Sequence, residues 1–129
     1  MEELDFWIGD WECTDPADGS VGHNSVRRVL DGRVVEESFA IVDAAGTSLR
    51  GRSWSVLDPD RGWVQTWVDN QGSYLDFTGG RTDEGFVFAR PGMRMVFRYV
   101  AQDRFTWDWE KRSPDHVWQL VWRLDYRRV

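Results

Sequence analysis

Hydrophobic and polar residues alternate along most of this chain with a period of two. Between residues 33 and 43, Val35, Glu37, Phe39 and Ile41 fall on one side of an extended chain and their neighbours fall on the other. This period is typical of strands that bury one face, and turn-forming residues recur at the spacing of about eight to twelve residues expected between short strands. The pattern predicts strands near residues 9–15, 21–30, 33–43, 47–58, 62–69, 73–80, 85–90, 93–101, 104–111 and 116–127.

Helical periodicity is confined to the first residues. Leu4, Phe6 and Trp7, within residues 2–8, are spaced for a single helical turn. A run of hairpin-linked strands leaves exposed edges unless the sheet closes on itself. We therefore predict an all-β fold: one domain over residues 1–129, a single closed antiparallel up-and-down barrel of about ten strands with a short N-terminal helical turn. A barrel with more than about eight strands begins to enclose room for a small ligand.

The fifth predicted strand indicates which face points inward. Trp63, Gln65 and Trp67 share one face of it, and smaller residues share the other. Two tryptophans on the outside would form a large exposed apolar patch. We therefore place this face inward, where Gln65 either meets a ligand or water in a cavity or is satisfied by protein neighbours.

Two charged residues are candidates for polar contacts with a ligand. Glu37 interrupts the apolar face of the third strand. Burial there would raise its pKa and prepare it as an acid or base, whereas a position near the rim would leave it solvated. Arg94 alternates with Met95 on the eighth strand. It lies either on a solvated outer face or inside as an anchor for an anionic group.

Aromatic residues are the unusual component of the chain, which has nine Trp, seven Phe and three Tyr. Trp107 and Trp109 share one face of the ninth strand, and the last strand is predicted to present Trp118, Leu120, Trp122 and Leu124 on one face. An aromatic interior suits a flat or ring-containing ligand, and it also suits a core filled by tryptophan. The candidate ligand-binding residues are Glu37, Gln65, Trp67, Arg94, Trp107 and Trp109.

Charge and composition exclude several classes of protein. Sixteen basic and 22 acidic residues give a net charge of −6, which opposes binding to the phosphates of nucleic acid. No apolar run is long enough to span a bilayer, and Glu2 and Glu3 stand where a secretory signal has basic residues. We expect a cytoplasmic protein without membrane insertion. Cys13, the only cysteine, excludes an internal disulfide and a cysteine-rich metal site.

Metal and cofactor sites are not expected. His23 and His116 are the only histidines, and no acidic cluster with metal-ligand spacing surrounds either of them. Ten-stranded nitrobindin-like barrels bind haem through a histidine within the closing strands, whereas His116 stands beside a predicted turn, so we expect no haem. A Gly-x-Ser-x-Gly elbow is absent and Cys13 has no histidine near it in sequence, which argues against a covalent hydrolase.

A set of ordered segments resembles a known family. Gly9-Asp10-Trp11 is similar to the Gly-x-Trp that opens the first strand of calycins, the lipocalin and fatty-acid-binding superfamily, where the indole closes the barrel end over an arginine from the last strand. Together with segments 4–11, 30–37, 57–59, 63–69 and 126–128, it resembles the DUF1579-like family of small bacterial proteins. The most specific piece is Trp63-Val64-Gln65-Thr66-Trp67-Val68-Asp69. The resemblance implies a calycin-type barrel and no particular reaction, cofactor or ligand.

The function expected from this combination is non-covalent binding of a small hydrophobic or aromatic molecule in the barrel interior. The alternative is a cavity enzyme on the same barrel, a cyclase, isomerase or lyase with Glu37 or an arginine as the acid, base or anion-stabilising group. A third option is a structural or partner-binding protein with a filled core. The sequence leaves open whether the chain forms a homodimer.

Overall fold

The computed structural model describes residues 2–129, with side chains from Glu3 onward, and it confirms the predicted all-β barrel. A 3₁₀ helix, Glu2–Trp7, precedes ten antiparallel strands. The strands are β1 (Gly9–Thr14), β2 (Val21–Val29), β3 (Val34–Val42), β4 (Ser48–Asp58), β5 (Gly62–Asp69), β6 (Tyr74–Thr82), β7 (Gly85–Arg90), β8 (Met93–Arg98), β9 (Arg104–Arg112) and β10 (Trp118–Arg128).

The barrel closes because its first and last strands pair. Each strand hydrogen-bonds to its neighbours in sequence, and β1 also pairs with β10, with Trp11 opposite Arg128. The closed ring leaves no unpaired sheet edge. In this ring β3 stands five strands from β8, so the two lie on opposite walls of the interior.

The N-terminal helix closes one end of the barrel. Its Leu4 and Trp7 are buried, and the carbonyl of Trp7 accepts a hydrogen bond of 2.8 Å from Nε1 of Trp11. The guanidinium of Arg128 lies 4.2 Å from the centre of the Trp11 ring and donates to the backbone carbonyls of Ile8 and Phe6 at 2.7 and 3.2 Å. These contacts tie the helix to this end of the barrel, where β1 starts.

Strand β6 continues two residues past its predicted end, to Thr82. Two other strand ends fall short of the predicted boundaries by three and two residues because the backbone becomes left-handed there. β8 ends at Arg98 because Tyr99 has a φ of 54°, and β10 begins only at Trp118 because His116, with a φ of 61°, belongs to the preceding turn. Residues with a positive φ leave the extended conformation that strand pairing needs.

The prediction for the last strand is wrong in part. Pairing between β10 and β9 shifts register between Leu120 and Trp122. Leu120 stands opposite Glu110 and is half-exposed on the outer face, as is the ring of Trp118, whereas Trp122 stands opposite Trp109 inside the barrel. An extra residue in one strand of an antiparallel pair reverses the alternation of faces. Trp118 and Leu120 therefore do not share a face with Trp122 and Leu124.

Candidate binding cavity

The half of the interior away from the N-terminal helix contains a cavity of about 210 Å³. Its mouth lies between the β3–β4 and β5–β6 hairpins, where Leu49, Asp69, Gln71 and Leu75 line it. Six aromatic side chains form much of its wall: Phe39, Trp67, Phe77, Trp107, Trp109 and Trp122. The cavity is thus an aromatic chamber that is open at one end and closed at the other by the helix.

The indoles of the wall are held by contacts with one another. Trp107 and Trp109 are nearly parallel, with centroids 6.4 Å apart and planes 11° apart. Trp122 meets Trp107 edge-on at 5.5 Å, and its Nε1 donates to Asp15 Oδ2 at 2.8 Å. Offset and edge-to-face arrangements such as these stabilise aromatic pairs beyond area burial alone. The wall is therefore set in place by the protein itself.

Trp67 depends on a glycine in the neighbouring strand. A Cβ atom at Gly51 would overlap the indole of Trp67, so only glycine leaves room for the ring there. The Nε1 of Trp67 donates to Asp69 Oδ2 at 2.9 Å. The ring is thereby fixed at the mouth with one face toward the cavity space.

A polar wall faces the aromatic one, and Glu37 is its centre. The carboxylate of Glu37 accepts hydrogen bonds from Asn24 Nδ2 and Ser53 Oγ, each 2.7 Å long. Asn24 Nδ2 also donates to the hydroxyl of Tyr126 at 2.9 Å. These groups come from β2, β3, β4 and β10, so the network exists only because the sheet closes.

Burial dominates the acid–base properties of this wall. It raises the pKa of Glu37 above its ordinary value, although the hydrogen bonds from Ser53 and Asn24 oppose the shift. Burial also raises the pKa of Tyr126 and that of Cys13, the latter to about 12. The thiol and the phenol therefore stay protonated at neutral pH, and Glu37 is the member of this network with the lowest ordinary pKa.

Gln65 continues the polar wall on β5. Its Nε2 donates to Ser55 Oγ at 3.0 Å, whereas its Oε1 has no hydrogen-bond partner among the described residues. The side chain is only 2% exposed and lines the cavity. The Oδ1 of Asn24 is likewise buried without a partner in this part of the chain. Two buried acceptors are thus left without a donor, which is costly unless one is supplied.

Five of the six residues singled out from the sequence line the cavity: Glu37, Gln65, Trp67, Trp107 and Trp109. Arg94 does not. Because Met95 and Phe97 point inward, Arg94 lies on the outer face of β8, where it bonds to Glu110 and Glu84, each at 2.6 Å. Its guanidinium also lies 4.4 Å from the centre of the Trp118 ring. An inward anchor for an anion is thereby lost from the expected set.

Sequence reasoning missed Asn24, Ser53 and Tyr126. Each of the three alternates with outward-facing residues on its own strand, so the sequence pattern could have predicted that its side chain points inward. What the alternation does not show is that strands far apart in sequence bring the three around one carboxylate. The Asn24–Tyr126 hydrogen bond spans 102 positions.

Acidic groups supply the charge of the cavity. Its charged lining residues are Glu37 and Asp69, and no lysine, arginine or histidine is among the described residues that line it. Burial opposes ionisation of Asp69, but hydrogen bonds from Trp67 and from the backbone of Ser73 and Gln71 outweigh it and lower its pKa. His23 and His116 are both exposed. Among residues 2–129, no group of three or more His, Cys, Asp and Glu side chains is arranged to hold a metal ion.

Comparison with known proteins adds no family to these observations. No protein-family model matches the chain, and no curated protein matches it significantly. Within the described part of the chain, none of the helical structure has the length and apolar character required to cross a membrane.

Proposed function

We propose that the barrel binds a small hydrophobic or aromatic molecule non-covalently in its interior. The observation that carries this proposal is the cavity of about 210 Å³ between the aromatic and polar walls. A cavity of about 150 Å³ is enough to take up benzene, and pockets for drug-sized molecules begin near about 300 Å³. The space therefore suits a single-ring or compact two-ring ligand.

Membership of the calycin superfamily, and of the DUF1579-like family within it, is part of the same proposal. It is supported by the placement of Arg128 over the ring of Trp11, which follows Gly9 at the start of β1. This is the contact that the Gly-x-Trp resemblance implies, and it sits at the closed end of a barrel that binds ligand from the other end.

The binding proposal is tested with 4-nitrotoluene, a neutral aromatic quencher of tryptophan emission. We expect saturable quenching with one site per chain, a dissociation constant in the micromolar range, about −8 kcal/mol, and a raised thermal midpoint. Trp67→Ala should weaken binding about tenfold because a wall ring is lost. Trp54→Ala removes the same side chain from the outer face of β4 and should leave the affinity unchanged.

The outcome that would overturn the proposal is equally specific. If emission and thermal midpoint both stay fixed up to the solubility limit of the probe, the native state does not take up aromatic molecules. The interior would then serve as a core for a structural or partner-binding protein.

A second candidate function is a cavity enzyme of the cyclase, isomerase or lyase type, and the observation that favours it is Glu37. A buried carboxylate with a raised pKa, held by two neutral donors and facing a cavity, has the properties of a general acid or base. The distinguishing experiment is incubation with candidate unsaturated or epoxide substrates followed by product analysis. Turnover that Glu37→Gln abolishes would favour the enzyme, and binding without turnover would favour the binder.

A further inference from the structure

Resting on the proposed binding function, we propose that the ligand of this cavity is an organic cation: a small aromatic molecule with a protonated amine that is directed at Glu37 and the free oxygen of Gln65. Three independent features of the cavity point to this class. They are the hydrogen-bonding capacity of the polar wall, the charge of the interior and the aromatic faces that surround it.

The polar wall has acceptors to offer and few donors. Asn24 Nδ2, Ser53 Oγ and Gln65 Nε2 already donate to Glu37, Tyr126 and Ser55. The oxygens Gln65 Oε1 and Asn24 Oδ1 have no partner in the described chain, both are buried, and Gln65 lines the cavity. Trp7 Nε1, which belongs to a lining residue on the N-terminal helix, is a buried donor that is also without a partner there. A ligand that reaches Gln65 therefore gains by bringing a hydrogen-bond donor, and an ammonium group carries three of them.

The charge of the interior selects against anions. Glu37 is 8% exposed, and it accepts hydrogen bonds from the neutral groups Asn24 and Ser53. No basic side chain lines the cavity among the described residues. A buried carboxylate without a counter-ion is costly to ionise, so a bound cation would supply the missing partner. Asp69 at the mouth and the net charge of −6 favour entry of a cation further.

The aromatic wall suits the same class of ligand. The faces of indole rings carry negative electrostatic potential and attract organic cations, the more strongly when the cation is desolvated. Trp67, Trp107, Trp109 and Trp122 all line the cavity opposite or beside the polar wall. A protonated amine on a ring-containing ligand can thus contact both a carboxylate and indole faces, which a neutral isostere does not exploit.

The test uses three probes of nearly equal size: phenethylamine, 2-phenylethanol and phenylacetate. Isothermal titration at pH 7.5 should show the amine binding about tenfold or more tightly than the alcohol, and the anion binding more weakly than both. Glu37→Gln should reduce affinity for the amine about tenfold and change affinity for the alcohol less than about threefold. Glu36→Gln, the same change on the outward-facing neighbour, should leave all three affinities as they are.

A measurement on the unaltered protein guards against a variant that fails to fold. The affinity of the unaltered protein for phenethylamine should fall as the pH is lowered from about 8 to about 5, because Glu37 takes up a proton and loses the charge that pairs with the cation. Cys13 and Tyr126, the titratable groups beside Glu37, keep their protons over this range, and the lowered pKa of Asp69 at the mouth keeps that carboxylate ionised. Affinity for the alcohol should not change over the same range.

The outcomes separate this inference from the function on which it rests. If the alcohol or the phenylacetate binds as tightly as the amine, the cavity binds ligands and the cation assignment is wrong. If the amine binds tightly but its affinity is indifferent both to Glu37→Gln and to pH, its ammonium lies elsewhere and the assignment to Glu37 is wrong. If none of the three probes nor 4-nitrotoluene binds, the binding function itself fails.

Discussion

Glu37 and Asp108 are both buried carboxylates on the wall of one barrel, yet they stand in opposite electrostatic surroundings. Asp108, on the outer face of β9, is fully buried and bonds to Arg98 at 2.6 Å and to Arg123 at 2.7 and 2.9 Å. Glu37, on the inner face of β3, bonds to the neutral groups Asn24 and Ser53. One carboxylate is a member of an ion-pair cluster, and the other has no cation beside it among the described residues.

The difference appears in the pKa values of the two groups. Burial opposes ionisation in both cases, but the hydrogen bonds from Arg123 and Arg98 outweigh it at Asp108 and lower its pKa. At Glu37 burial prevails and the pKa rises. The outer cluster, which also contains Arg94, Glu84 and Glu110, is complete without a ligand. In the part of the chain that the structure describes, no basic side chain lines the cavity beside Glu37.

The largest effect is expected when the outer cluster is broken. Asp108→Asn should lower the free energy of unfolding by about 2–3 kcal/mol, because two guanidiniums lose a buried carboxylate. This loss of stability is smaller than that expected on breaking a fully buried ion pair, because Arg123 is 41% exposed and Arg98 retains its ion pair with Glu110. Urea unfolding measures it, with Asp125→Asn as control, since Asp125 is exposed on the same face. A loss below about 0.5 kcal/mol would show the cluster to be unimportant.

A change of opposite sign is expected at the inner site. Glu37→Gln should raise the free energy of unfolding of the ligand-free protein by about 1 kcal/mol at pH 7.5, because a neutral amide avoids the cost of burying a charge. Glu36→Gln is the matched control, and it should cause no gain because this carboxylate lies on the outer face and accepts a bond from Trp54 Nε1 at 3.0 Å. Destabilisation of Glu37→Gln by more than about 1 kcal/mol would indicate that the carboxylate is stabilised by its present neighbours.

The two sites should also differ in the direction of their pH dependence. The pKa of Glu37 is raised from 4.5, so its contribution to stability is present below that value and is lost as pH rises through the folded-state pKa. The pKa of Asp108 is lowered from 3.8, so its contribution is present above that value and is lost as pH falls through the folded-state pKa. Unfolding of Glu37→Gln, of Asp108→Asn and of the unaltered protein, measured across pH 3–8, reports both trends. Parallel profiles would contradict the contrast.

Salt should produce the smallest effect. Raising sodium chloride from about 0.05 to 0.5 M should weaken the outer cluster by a few tenths of a kcal/mol, because Arg123 is partly exposed and exposed charges are screened. The difference in free energy of unfolding between Asp108→Asn and the unaltered protein should therefore become smaller at high salt. The difference in free energy of unfolding between Glu37→Gln and the unaltered protein should not change with salt, since among the described residues Glu37 has no ion pair that salt could screen. An equal response at both sites would mean that bulk ions reach the cavity wall.

The barrel fold, and whether most strand side chains point inward or outward, could be predicted from the amino-acid sequence. Alternation along β3, β5 and β9 placed Glu37, Gln65, Trp67, Trp107 and Trp109 inside, and the structure agrees. This succeeded because a strand that is buried on one face has a period of two, and that period is visible within a few neighbouring residues. The N-terminal helical turn was predicted from a different pattern, the helical spacing of Leu4, Phe6 and Trp7.

Other features became known only from the folded molecule, because they depend on how distant strands pair and on how the volumes of all inward side chains add up. The register shift between β10 and β9 places Trp118 on the outer face of the barrel. Arg94 also lies on the outer face, where it forms ion pairs with Glu84 and Glu110. Closure brought Asn24 and Tyr126 to the same carboxylate network. Whether the inward aromatics fill the barrel or leave space follows from how all ten strands curve and pack, a property that no single stretch of residues contains.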